Sequence, residues 1–188
     1  MVINQEILSR YATLLVHYCV ELKAEERLFI STTTLAEPLV REIFREVTKL
    51  GAVMEVDFQF EDQGKIYYEH ANDWVLGQPP VLKKAAMESF DAYIYIKAPF
   101  DLNETEGLDM KKKQKRSKAL APLSKLYFER TADRALPGAL KRSLCQYPTP
   151  ASAEAAEMSV DEYAEFVFNA CHLYACLLYT SPSPRDRG

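Results

Sequence analysis

Arg27-Leu28-Phe29-Ile30-Ser31, Thr34-Leu35-Ala36-Glu37-Pro38 and Val53-Met54-Glu55-Val56-Asp57-Phe58 are the three segments that decide the architecture. The first is a short apolar run of strand length. The second has the Thr-x-x-Glu spacing of a helix N-terminus, with Pro38 tolerated in the first turn. Leu39, Val40, Ile43, Phe44, Val47 and Leu50 then recur at helical spacing, and Gly51 stands where a left-handed C-terminal cap belongs. The third segment is a second strand. A strand, a helix and a strand joined by short connections form a βαβ unit, which requires parallel pairing through a right-handed crossover.

The same alternation continues outward. Upstream, Ile7, Tyr11, Leu14, Leu15, Tyr18 and Leu22 fall on one helical stripe within residues 4–23. Downstream, residues 80–89 are predicted helical, and Ala92-Tyr93-Ile94-Tyr95-Ile96 is the densest aromatic and β-branched run, hence a strand. Residues 111–131 are predicted as a long polar helix with a kink or break at Pro122. Arg142–Tyr147 is the fourth strand, and Thr149-Pro150 an N-cap followed by the first helical residue. Ser159-x-x-Glu162 is a second capping box, opening a helix with Tyr163, Phe166, Val167, Ala170, Leu173, Tyr174 and Leu177 on its apolar side. Four strands alternating with helices predict a doubly wound α/β fold, a mostly parallel sheet of about four or more strands with helices on both faces.

Composition narrows the function. The chain has 188 residues, 48% of them hydrophobic and 27% charged, with a net charge of -4. This is a globular composition, and its acidic balance disfavours a nucleic-acid platform. Neither GxGxxG nor GxxxxGK[ST] is present, so those phosphate cradles are unsupported. No apolar run approaches the roughly 18 residues of a membrane span. Met1-Val2-Ile3-Asn4-Gln5-Glu6 lacks the cationic start of a secretory signal. The four cysteines, Cys19, Cys145, Cys171 and Cys176, are expected to be reduced thiols of a soluble cytoplasmic protein.

No reactive constellation emerges from the residues. His17, His70 and His172 form no HExxH, and Cys171-His172 with Cys176 lacks a fourth ligand. There is no GxSxG elbow. Glu55 and Asp57 share one face of their strand by its period of two, beside Glu61 and Asp62, without a charge partner in the pattern. Lys111-Lys112-Lys113-Gln114-Lys115-Arg116-Ser117-Lys118 lacks interleaved aromatics and is predicted to be a solvated helix face.

Gln146-Tyr147-Pro148-Thr149-Pro150, followed by Met158-Ser159, Glu162-Tyr163, Phe166-Val167 and Ala170-Cys171, resembles the N-terminal domain of the thermophilic-type metallo-aminopeptidases. That family includes aminopeptidase T, aminopeptidase S and the leucyl aminopeptidase II-like proteins. Tyr11–Val16 and Leu39-Val40-Arg41 leading to Gly51-Ala52 add to the likeness, which covers roughly residues 4–176. The resemblance implies an exopeptidase that releases N-terminal residues from peptides with two divalent ions such as zinc, cobalt or magnesium. It implies a homodimeric two-domain enzyme whose Glu, His and Asp metal ligands belong to a C-terminal domain. Residues 1–176 would then be an N-terminal domain, inactive alone, with no catalytic or metal-ligating residue of its own.

In doubly wound sheets ligands gather beyond the carboxyl ends of the strands. Thr33, Thr34, Tyr147 and Thr149 fall there and are expected to rim the cleft facing the second domain, where Tyr147 would influence KM or substrate choice. The helix opening at Ser159 carries more apolar surface than a terminal helix needs, so an exposed apolar patch is expected. Tyr179–Gly188, with two Ser-Pro pairs and no apolar period, resembles a translated sequencing adapter, and residues 177–188 are expected to be a disordered, non-native tail. Two other readings stay open: a non-enzymatic module binding a small molecule or peptide, and a nucleic-acid-associated module using residues 111–118.

Overall fold

A computed structural model of the chain describes residues 3–174. The order is α1 (Gln5–Thr13), β1 (Arg27–Thr33), α2 (Glu37–Leu50), β2 (Val53–Gln59), α3 (Gln63–His70), α4 (Asp73–Gly77) and α5 (Val81–Ser89). It continues with β3 (Ala92–Lys97), α6 (Met110–Thr131), β4 (Lys141–Gln146), α7 (Pro150–Ala155) and α8 (Val160–Ala170). The four strands form one sheet in the order β2-β1-β3-β4, and every pairing is parallel. The fold is therefore doubly wound α/β, as the alternation requires.

Each face of the sheet has its own core. Leu28, Ile30, Ile94 and Ile96 point to the first face, where they meet Ile7, Tyr11 and Leu15 of the N-terminal helix. Leu39, Ile43 and Val47 of α2 and Ala164, Val167 and Phe168 of α8 complete this core. Phe29 and Tyr93 point to the second face, against Ala86, Met87 and Phe90 at the α5 end and Leu123, Leu126 and Tyr127 of α6. Phe29 packs edge-to-face on Phe90 at 5.7 Å and stacks on Tyr93 at 6.1 Å.

Local chemistry places most boundaries. Gly51 ends α2 at φ +78°, a left-handed conformation that a Cβ would disfavour. Thr149 caps α7 by accepting from Ser152 N. Ser159 and Glu162 close the capping box of α8 from both sides. Those hydrogen bonds hold the Glu162 carboxyl below its ordinary pKa. A carboxyl shifted down in the folded state adds stability above its unfolded pKa, and that stability is lost as pH falls through the lower folded value. Glu162→Gln is accordingly expected to flatten the acid limb of the Tm-against-pH curve. A curve that keeps the slope of the unsubstituted chain would remove this assignment.

Four local expectations are corrected. Thr34 does not cap α2: Thr34–Ala36 forms one 3-10 turn, Ala36 precedes the helix without a side-chain cap, and the Glu37 carboxylate is taken by Arg41 at 2.7 Å. The N-terminal stripe breaks at Leu14–Cys19, which is π-helical, with Val20 N bonding to Leu15 O at 3.1 Å. The wider turn brings Val16 and Val20 to the core and turns Tyr18 outward, 76% exposed. On α8 the buried residues are Ala164, Val167 and Phe168, while Phe166 is 59% exposed. Finally, of the kink or break expected at Pro122, the break is absent: α6 runs through it as one helix.

The exposed Phe166 ring lies 6.5 Å from that of Tyr163, with Met158, Val160 and Tyr174 also partly open to solvent. The expected apolar surface on this helix is therefore present. Leu177, Cys176 and the expected tail, 177–188, lie outside the described residues. Among the described residues no helix is long and apolar enough to cross a membrane.

Candidate functional site

The carboxyl ends of the strands form one edge, organised by hydroxyl groups. β1 reads Ser31-Thr32-Thr33 at its end, and the regular pairing of β1 with β3 stops at Ser31 and Tyr95. Beyond that point side chains continue the seam. Thr32 Oγ1 donates to Ile96 O at 2.9 Å, and Thr33 Oγ1 donates to Ala98 O at 2.5 Å. On the far side of β3, Tyr147 N donates to Lys97 O at 2.9 Å, carrying the β3–β4 ladder one step past the strand. The edge is thus tied across β1, β3 and β4, around the point where the chain order of the sheet reverses.

The four residues expected at this edge do not share one environment. Thr34 is exposed, and Thr33 is half-buried with its hydroxyl engaged. Tyr147 is buried within the first core, which pushes its phenol pKa up. It borders a concavity of about 500 Å³ with Leu8, Pro38, Arg41, Glu42 and Asp161. Glu42, a buried carboxylate, is held there by Gln5 at 3.4 Å and Arg45 at 3.3 Å. Thr149 is buried, donating to Ser152 Oγ at 3.1 Å. Thr33 and Thr34 stand on the β1 side of the edge, Tyr147 and Thr149 on the β4 side, with the end of β3 between them.

Sulfur chemistry is quenched in the interior. Burial pushes the Cys145 thiol up to about 12, so the nucleophilic thiolate is suppressed. The Tyr11 phenol is also pushed far up by burial; its Oη is 3.9 Å from Cys171 Sγ and donates to Gln146 O at 3.1 Å. Among the described residues no group of three or more His, Cys, Asp or Glu side chains is placed to hold a metal ion.

The basic run is a free face on one side only. Lys112 Nζ donates to Tyr68 O at 2.7 Å, Lys113 bonds Thr105 O, and Lys115 pairs with Asp73 at 2.8 Å. Arg116 bonds Gln78 O and lies 5.1 Å over the Tyr67 ring. One side of the run therefore pins α3 and α4 onto α6, leaving Lys111, Gln114, Ser117 and Lys118 exposed. The expected solvated face is present on those residues, while the other side of the run makes these contacts.

A larger concavity, about 1240 Å³, opens on the second face of the sheet between β2, β3, β4 and α6. Asp57, Gln59, Lys83, Tyr93, Tyr95 and Arg142 are among the residues that line it. Reading the strands for location alone missed this groove. The signal that pointed to it was period two, which puts Tyr93 with Tyr95, and Glu55 with Asp57, on common faces.

The model of the thermophilic metalloprotease (M29) family matches residues 4–176. Aminopeptidase 2 of Geobacillus stearothermophilus is 32% identical over 98 residues, a stretch covering 49% of this chain and 24% of that protein. Wild-type AmpT from Thermus thermophilus superposes with a TM-score of 0.67 at 16% identity, over 88% of this chain and 42% of that one. At this identity the second likeness speaks to the fold. The chain thus matches about a quarter of one relative's length and under half of the other's.

Proposed function

The chain belongs to the thermophilic metalloprotease (M29) family, and from that premise we propose that it is the N-terminal domain of a cytoplasmic metal-dependent aminopeptidase that releases N-terminal residues from peptides. The observation that carries this reading is the family match from residue 4 to residue 176, nearly the whole chain. The aminopeptidase relative, 32% identical, favours an exopeptidase within that family.

In this reading two divalent ions, zinc, cobalt or magnesium, are held by residues beyond the described ones. Such ions activate a water and polarise the scissile carbonyl. The contribution of this domain is shape. The hydroxyl-tied carboxyl edge faces the metal-bearing part of the enzyme, with Thr33 and Thr34 toward the cleft and Tyr147 and Thr149 holding the β4 side from beneath. The full-length enzyme works as a homodimer on peptide substrates, and the 188-residue chain alone is inactive.

The test compares two polypeptides supplied with cobalt or zinc: this chain, and one extended along the reading frame of its gene. Release of amino acids from oligopeptides is expected only from the extended form, and a chelator is expected to abolish it. Hydrolysis by the 188-residue chain, or none by the extended one, overturns the proposal.

A further inference from the structure

The strand register lays out the second face of the sheet row by row. Across β2, β1, β3 and β4 one row reads Glu55, Phe29, Tyr93, Arg142, and the next reads Asp57, Ser31, Tyr95, Leu144. The core at the α5 end and α6 covers the first row through Phe29 and Tyr93. Asp57, Tyr95 and Leu144 of the second row line the 1240 Å³ groove. It lies toward the carboxyl ends of β1 and β3. These two strands lead to α2 and α6 on opposite faces, the position at which doubly wound sheets take ligands.

Two charged side chains, one at each end, say what the groove accepts. Asp57 stands half-buried on β2 with Lys83 of α5 nearby, whose pKa burial lowers. Arg142 stands on β4, its guanidinium 5.7 Å over the Tyr127 ring and donating to Tyr127 Oη at 3.1 Å. A guanidinium has five N–H donors, so that bond leaves others for a ligand.

The separation of the charges sets the length of the ligand. Adjacent strands lie about 4.8 Å apart, so the β2 and β4 backbones are on the order of 14 Å apart. The Asp and Arg side chains shorten that gap from both ends. An extended chain of about two to four residues, at about 3.3–3.6 Å each, fills what remains. Tyr93, Tyr95, Leu123 and Leu144 offer aromatic and aliphatic surface along the way, and Gln59 and Gln63 offer amides.

We propose that this groove binds a short extended peptide of about two to four residues, its free ammonium against Asp57 and its terminal carboxylate against Arg142. The choice of a peptide rests on the aminopeptidase reading; the charges by themselves require only a zwitterion of that length. The site lies on the second face of the sheet, toward its carboxyl ends, and needs no metal.

The test titrates the full 188-residue chain, without added metal, with tri-alanine, its N-acetylated and C-amidated forms, and free alanine, followed by calorimetry and by amide NMR shifts. Saturable binding of tri-alanine is expected, with shifts at Tyr93, Tyr95 and Leu144. Either cap should weaken it about tenfold, as should Asp57→Asn or Arg142→Gln, each removing one charge-assisted contact. Asp57→Asn keeps the shape of a half-buried side chain on an edge strand, so it reports binding even where Arg142→Gln disturbs Tyr127. Absence of tri-alanine binding at millimolar concentration, equal binding of free alanine, or indifference to both caps and both substitutions overturns the proposal. Since hydrolysis plays no part in this readout, a silent groove leaves the aminopeptidase reading standing. An inactive extended polypeptide likewise leaves groove binding standing.

Discussion

Replacing Phe168 with Ala lowers the unfolding free energy by about 3–5 kcal/mol, the cost of emptying a large aromatic site that cannot collapse. Phe168 is fully buried on α8, with its ring edge-on to Tyr11 at 6.0 Å and to Tyr174 at 6.3 Å. It joins α8 to the N-terminal helix, so the cavity would open between elements far apart in the chain. A domain of ordinary stability has about 5–15 kcal/mol in total, and this change would remove much of it. Phe166→Ala, two residues away but solvent-exposed, is expected to stay within about 0.5 kcal/mol. Urea unfolding of both variants checks the pair. Equal midpoints would show that the two rings are not on opposite sides of α8.

The second large effect belongs to Arg130. In the last turn of α6 its guanidinium donates to Met87 O at 2.8 Å, Phe90 O at 3.0 Å, and Gly138 O through Nε at 3.0 Å and Nη2 at 2.7 Å. These carbonyls belong to the end of α5, the turn into β3 and the loop before β4. No residue of α6 is itself buried, so this fork is a main attachment of the helix. Arg130→Ala is expected to cost about 2–4 kcal/mol, less than the sum of its charge-assisted bonds because water reaches part of the site. Arg130→Lys keeps the charge but not the planar fork, and should recover only a minor share. Thermal unfolding measures both. Full rescue by Lys would show that charge, not geometry, holds α6 down.

Much of the fold was legible because strands and α2 depend on local signals. The βαβ unit from Arg27 to Phe58 needed only apolar runs, helical spacing and Gly51. What escaped was rotation about helix axes. Phe166 and Phe168 both extend stripes of valid helical period through Val167, and only contact with Tyr11 selects the second. Tyr18 was misplaced because one π-helical turn shifts all that follows it. α3 and α4 were missed because they are short and bury almost nothing: α3 has no buried residue and α4 only Leu76.

The edge residues were found through their place at strand ends, which is a property of the chain. Their exposure was not, because Tyr147 and Thr149 are covered by packing among α1, α2, α7 and α8. The groove was harder still. Its Asp57, Tyr95 and Arg142 come from three strands, and only the sheet order places them on one surface.

The all-parallel order has a kinetic corollary. The sheet contains no hairpin, so no two strands can zip together from a tight turn, and each pairing must wait for a crossover to close. The central pairing, β1 with β3, is the most distant in sequence and must hold a place for a strand that is made after α5. Assembly therefore proceeds outward from the β1–α2–β2 unit, and the dominant barrier should be the slow loop search that brings β3 to β1.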